Sequence, residues 1–268
     1  MTRAAQAGSA ALGDFPARWP RELVAEVSLV AVDRVDSTQR LARTLLDRHL
    51  LEEESPHPFV VVALEQSAGR GRQGRPWASA AGKGLWASFV LELDARSAQS
   101  LPMRVAVALA TAVNSLLGDA LCRLKWPNDL VIGRSKLGGL LVDAVTRPDG
   151  RVWSVVGFGI NHGHGPDELP APGAVSLRLA AGARSGSTLA ELLARAQTEL
   201  WTELSRDDSN WLERYRTLAA HRAGDRISWD LPEGRLEGTF AGFDECGFLI
   251  VATERGQRTV RSGEVFAW

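Results

Sequence analysis

The sequence predicts an α+β chain in two parts, a larger domain of interleaved strands and helices over residues 23–220 and a small β-barrel over 221–268. Three observations predict it. Apolar, β-branched runs such as Phe59-Val-Val-Val-Ala-Leu64 and Val152 to Ile160 alternate with segments of helical period as far as Leu218. From Gly224 the pattern changes to short strands at 226–229, 236–240, 248–251 and 258–261, separated by Gly-containing turns, as in small barrels. A chain of 268 residues that is 45% apolar and 24% charged can bury one large core and support a small appended domain.

Residues 1–22 are rich in Ala and Gly without periodicity and read as a disordered leader. Asp36-Ser37-Thr38 precede Leu41, Ala42, Leu45, Leu46 and His49, an amphipathic helix with short polar residues at its start. At that strand-to-helix junction Ser37 and Thr38 serve either as caps or as hydroxyl donors to a ligand. Phe59 to Leu64 is a buried strand that delivers Glu65-Gln66-Ser67-Ala68 and then Gly69-Arg-Gly-Arg-Gln-Gly-Arg-Pro-Trp77, with three glycines and three arginines in seven positions. Glycines at positive φ can turn backbone N–H groups toward an anion, and guanidinium groups match phosphate or carboxylate oxygens. Gly69-x-Gly71-x-x-Gly74 also fits the dinucleotide-binding pattern, which requires a helix to start at the loop. Pro76, Gly82 and Gly84 instead lead into the alternating strand Leu85 to Leu93.

Pro102 and Gly118 bracket a helix over 103–117. A strand over 121–126 breaks at Pro127-Asn128-Asp129. Leu130-Val-Ile132 and Lys136-Leu-Gly-Gly-Leu-Leu-Val142 then form a hairpin about Gly133-Arg134-Ser135. Lys125 and Asp129 make either a structural ion pair or part of a site. After a turn at 148–150, Val152 to Asn161 reads as a central strand whose Gly157 and Gly159 mark close approach by a ligand or another backbone. His162 and His164 lack a third ligand at sensible spacing and read as a solvated loop. Two helices follow over 188–205 and 210–218.

The formal net charge of -1 argues against broad binding of nucleic acid, so the cationic loop is a local feature. No run reads as a membrane span and the N-terminus lacks a signal-peptide layout, which predicts a cytoplasmic protein. Cys122 and Cys246 have neither metal nor redox spacing and read as buried thiols. Of 31 basic residues only Lys83, Lys125 and Lys136 are lysines, a bias that draws attention to sites needing a compact ammonium.

Gly69-Arg-Gly-Arg-Gln-Gly-Arg-Pro-Trp77, Lys125-Trp-Pro-Asn-Asp-Leu130, Lys136-Leu-Gly-Gly-Leu140, Gly157-Phe-Gly-Ile-Asn161, Gly242-Phe-Asp-Glu-Cys-Gly247 and Ser262-Gly-Glu264, in that order, resemble the biotin protein ligase family. The resemblance implies a mixed-sheet catalytic domain of the biotin/lipoate ligase type with a C-terminal SH3-like barrel. It implies a two-step reaction in which biotin and ATP form biotinyl-5′-AMP and a lysine of a biotin carboxyl carrier protein domain then takes the biotinyl group, with Mg²⁺ required. By that resemblance Lys136 and Arg72 are catalytic. Ser37, Thr38, Gln39, Gln66, Arg70, Gly71, Arg72, Trp77, Lys136, Gly138, Gly139, Gly157 and Gly159 contact biotin or the adenylate. Arg75, Lys125, Asn128 and Asn161 serve ATP, and Asp129 serves magnesium through water.

Departures from the family pattern are Gln39, where Asn is usual, and His162, where a small apolar residue is usual. The segment before Val24 is too short for the DNA-binding domain that some members carry, so a ligase without operator binding, monomeric or homodimeric, is expected. The alternatives are a lipoate ligase or octanoyltransferase of the same fold, and an Arg-loop nucleic-acid-binding module.

Overall fold

Residues 27–51, 57–147, 150–182, 186–206, 210–231 and 234–267 are described by a computed structural model. The N-terminal leader and the turn residues Pro148 and Asp149 lie outside them. A seven-stranded sheet runs in the order β1-β2-β3-β7-β6-β5-β4. Its strands are β1 (Ser28–Val35), β2 (Phe59–Gln66), β3 (Gly84–Leu93), β4 (Cys122–Lys125), β5 (Asp129–Ile132), β6 (Ser135–Thr146) and β7 (Val152–Asn161). β1 and β2 pair in parallel, and the other neighbours are antiparallel. Helix α1 (Thr38–Leu51) covers one face. The other is covered by α2 (Ala95–Leu117), α4 (Leu189–Ser205) and α5 (Trp211–Leu218), and a short α3 (Leu177–Ala181) precedes α4.

Helices on both faces explain why β2 and β7 read as continuous apolar runs. Alternate residues of β2 enter different cores, Phe59 and Val61 with Ala42 and Leu46 of α1, Val60 and Val62 with α2. Full removal of each such aliphatic or aromatic side chain from water contributes about 1.5–3 kcal/mol.

Helix α2 begins well before Pro102, correcting the predicted start. Asp94 caps it by accepting from Ser97 N at 2.9 Å, and Pro102 lies inside. The missing proline N–H and ring clash cost about 3 kcal/mol in a helix interior. Burial of Leu101, Met103, Val105, Leu109 and Val113 in the main core outweighs that cost. This helix is long and apolar enough to cross a membrane by length and composition, yet it is mostly buried inside the protein. It is a core helix.

The second sheet contains β8 (Arg226–Leu231), β9 (Gly234–Phe243), β10 (Leu249–Thr253), β11 (Gly256–Val260) and β12 (Val265–Ala267), in the order β11-β10-β9-β8-β12. β12 was not predicted; only three residues long, it gives no periodic signal. Cys246 corrects another expectation, being exposed in the polar turn where Asp244 Oδ1 accepts from Cys246 N. Cys122 is buried, and burial pushes its thiol up to about 12.

Candidate active site

The cavity opens on the α1 face of the large sheet because that face is stripped of side chains there. In β7, Trp153, Val155, Gly157 and Gly159 share one face by the two-residue period, and the first two pack under α1 or beside it. The next two are glycine and leave a bare floor. A Cβ at Gly157 would lie 2.3 Å from Gln39 Oε1, and one at Gly159 would lie 2.5 Å from Trp77 Nε1. Gly157 pairs with Ser88 of β3 and Leu141 of β6, and Gly159 with Trp86 and Gly139. Gly139 therefore faces the cavity, whereas Gly138, one residue away, points to the opposite face. The latter corrects the prediction that both line the site.

The cavity has a volume of about 590 Å³ and is lined by every other residue the sequence nominated. These are Ser37, Thr38, Gln39, Gln66, Arg70, Gly71, Arg72, Arg75, Trp77, Lys125, Asn128, Asp129, Lys136, Gly139, Gly157, Gly159 and Asn161. Such a volume suits a small organic ligand.

At the deep end a hydrogen-bonded chain links α1, β2, β3, β6 and β7. Gln66 Oε1 accepts from Thr38 N at 2.8 Å and from Thr38 Oγ1 at 3.1 Å, while Gln66 Nε2 donates to Ser79 Oγ at 2.8 Å. Ser88 Oγ lies 3.0 Å from Thr38 Oγ1 and 3.1 Å from Gln39 Oε1. Gln39 Nε2 donates to Asp143 Oδ2 and Val155 O, both at 2.9 Å. The extra methylene of Gln39 thus carries its amide onto β6 and β7. Sequence reasoning missed Ser88, Ser79 and Asp143. Ser88 had a signal, a serine inside the otherwise apolar run Leu85 to Leu91, and its hydroxyl is fully buried.

The Gly/Arg loop is a short hairpin. Trp77 N donates to Gly69 O and Gly71 N to Arg75 O, both at 2.8 Å, and Arg72–Gly74 form a 3-10 turn at its tip. This corrects the expected role of the glycines. Of the three only Gly74 has positive φ, at 72°, while Gly69 is needed because a Cβ there would sit 2.4 Å from Trp77 O. The Gly71 amide is engaged within the loop, and the arginine side chains line the cavity. Arg72 Nη1 donates to Asn128 Oδ1 at 3.0 Å and lies 3.5 Å from Gly263 O. Arg75 pairs with Glu264. Those contacts draw the C-terminal loop before β12 into the cavity wall.

Opposite the loop, Lys136 Nζ lies 2.7 Å from Asp129 Oδ1 and 5.2 Å from the Trp77 ring centroid. Lys125 Nζ lies 3.9 Å from Asp129 Oδ2. Asn128 is locked onto β6, its Nδ2 donating to Leu140 O at 2.9 Å while its backbone O accepts from Leu140 N at 3.0 Å. Asn161 Nδ2 donates to Val175 O at 3.2 Å, and its buried Oδ1 has no partner among the described residues.

The lining carries five cationic side chains, Arg70, Arg72, Arg75, Lys125 and Lys136, against the carboxylates Asp129 and Glu264. Burial lowers the Arg72 and Lys125 pKa values from their ordinary ones, and Asp129 and Glu264 oppose that shift in both. The cavity therefore combines local positive charge with an apolar floor in a chain of net charge -1. It is built to hold an anionic ligand with an apolar body.

The Biotin/lipoate A/B protein ligase family matches residues 31–161, and the Biotin protein ligase C terminal domain matches residues 227–268. A bifunctional ligase/repressor from Bacillus subtilis is 30% identical over 257 residues, which cover 88% of this chain and 73% of the relative. A biotin–[acetyl-CoA-carboxylase] ligase from Paracoccus denitrificans is 32% identical over 219 residues, covering 77% of this chain and 89% of the relative. Among solved structures, a biotin protein ligase from Aquifex aeolicus in complex with biotin and ATP superposes with a TM-score of 0.68 at 25% identity, covering 89% of this chain and 97% of that one. With both halves of the chain matched and relatives at 30% identity or more covered over most of their length, this protein belongs to the biotin protein ligase family.

Proposed function

We propose that this chain activates biotin with ATP, releasing pyrophosphate and forming biotinyl-5′-AMP, and then passes the biotinyl group to a lysine of a biotin carboxyl carrier protein domain. The observation that carries this reading is the convergence of Arg72, Lys136, Lys125 and Gln66 on one cavity, with apolar floor at one end and cations at the other. In the first step a biotin carboxylate oxygen attacks the α-phosphorus and the bond to the β-phosphate oxygen breaks. Two anions must meet, so positive charge fixed beforehand lowers the barrier. Lys136 stands at that meeting point and Arg72 closes over it. In the second step the neutral amine of the carrier lysine attacks the biotinyl carbonyl carbon. The C–O bond of the mixed anhydride breaks, AMP leaves, and the amine proton passes to solvent.

Thr38, Gln39 and Gln66 hold the biotin end over Gly157, with Ser37 beside them. Lys125, Arg75 and Asn161 meet the nucleotide, and Trp77 walls the junction. Asn128 serves indirectly by anchoring Arg72. Magnesium enters with the MgATP substrate. Asp129, with both oxygens turned to ammonium groups, is a poor direct ligand, and no cluster of three His, Cys, Asp or Glu able to hold a metal exists among the described residues. Asp129 would meet a magnesium ion only through water. Two free cysteines and the buried placement of the apolar helix α2 support a cytoplasmic setting.

The match of residues 227–268 to a biotin protein ligase C-terminal domain favours biotin over lipoate. Calorimetric titration with each vitamin separately tests this choice. Biotin is expected to bind and lipoate to leave the heat unchanged; lipoate binding without biotin binding would overturn the reading.

A further inference from the structure

The segment joining α5 to the second sheet lies along the edge strand β4. Leu124 and Ala219 form a parallel bridge, and Ala220 N donates to Leu124 O at 2.8 Å. The backbone pairing ends there, but the pattern does not. His221 Nε2 accepts from Trp126 N at 3.1 Å, with both residues buried, so the imidazole stands where the next carbonyl of a pairing strand would be. Pro127 follows and has no N–H, making Trp126 N the last backbone donor before the turn that carries Asn128 and Asp129. The same tryptophan is held from the other side, where its Nε1 donates to Gly247 O at 3.1 Å.

We propose that His221 is a positioning residue for the nucleotide half of the site, acting through Trp126 to fix the Lys125–Asp129 turn. The inference rests on the ligase reading, and it assigns a task to a residue outside every motif that the sequence nominated. His221 is not among the residues that line the cavity.

The surroundings suit a permanent acceptor. Phe240 of β9 packs against the ring at 5.6 Å between centroids, and the nearby charges are Lys125 and Asp225. Burial first, and Lys125 second, lower the imidazole to about 4, with Asp225 opposing. The ring is therefore neutral at neutral pH, and its Nε2 lone pair stays available to the Trp126 N–H.

Two substitutions test the proposal. His221→Phe keeps an aromatic ring and removes the acceptor, whereas His221→Gln places an amide oxygen at similar reach. In ATP–pyrophosphate exchange, His221→Phe is expected to raise KM for ATP by about tenfold or more, as loss of a buried hydrogen bond displaces the turn. Its calorimetric affinity for biotin alone should stay within about twofold of the parent, because the deep end of the cavity does not depend on the turn. His221→Gln should restore KM for ATP to near the parental value. An unchanged KM in folded His221→Phe, equal losses for ATP and biotin, or a His221→Gln variant as impaired as His221→Phe would each overturn it. Should His221→Phe fail to fold, KM of His221→Gln decides: near-parental supports the role and about tenfold raised overturns it. An unmodified chain with no biotin-dependent exchange overturns the ligase reading itself, and that result is visible before any variant is made.

Discussion

Lys136→Ala is expected to depress biotin-dependent ATP–pyrophosphate exchange by about two to three orders of magnitude while leaving the thermal unfolding midpoint nearly unchanged. Two effects add. The substitution removes the ammonium placed where carboxylate and α-phosphate must meet. It also takes away the closer of the two ammonium groups paired with Asp129, leaving Lys125 at 3.9 Å, so a less compensated negative charge faces the incoming anions. The fold is spared because the Lys136 side chain is 40% exposed and its place in β6 is held by backbone bonds, Lys136 N donating to Gly173 O at 2.7 Å and Val175 N to Lys136 O at 2.9 Å. Lys136→Arg should not restore the rate, since a planar guanidinium cannot occupy the space of a compact ammonium between Asp129 and Trp77. Near-parental exchange in Lys136→Ala would remove the residue from the mechanism.

Arg72→Gly is expected to release activated biotin. Arg72 joins the loop tip to Asn128 and to Gly263 O, and without it the pair of Arg75 with Glu264 is left to hold the hairpin against the C-terminal loop. A charge-assisted hydrogen bond of this kind contributes about 1.5–3 kcal/mol, so the adenylate should leave about ten or more times faster. Glycine at the tip adds backbone freedom beside Gln73, already at φ 57°. The readout is labelling of lysines on a bystander protein, together with the half-life of enzyme-bound adenylate. An unchanged half-life would show that the loop is held by other means.

How much of this could be read from the chain follows from which interactions are local. β2 and β7 were legible because strands covered on both faces leave long apolar runs, and β3, the alternating strand after the Gly/Arg loop, followed from Pro76, Gly82 and Gly84. The start of α2 was not, because Pro102 is a local signal and the burial that overrides it is tertiary. Gly157 and Gly159 announced the cavity floor by their two-residue spacing. Gly138 and Gly139, being adjacent, had to face opposite ways, and only the register of β6 against β7 shows which one is inside. Gly69 looked like a conformational glycine and is a packing glycine, a distinction set by Trp77 eight residues on. Asn128 was read as a nucleotide ligand, yet its amide is engaged by Leu140 and Arg72, partners that only the folded sheet brings near. The least legible contacts are those between residues far apart in the chain, such as Arg75 with Glu264 and Trp126 with His221, because nothing local to either partner points to the other.

The central claim is that these cations converge where biotin meets ATP, and ATP–pyrophosphate exchange measures that encounter alone, without a carrier protein. With labelled pyrophosphate, MgATP and the unmodified chain, label should enter ATP only when biotin is present. Exchange that ignores biotin, or none with biotin and MgATP both saturating, would contradict it.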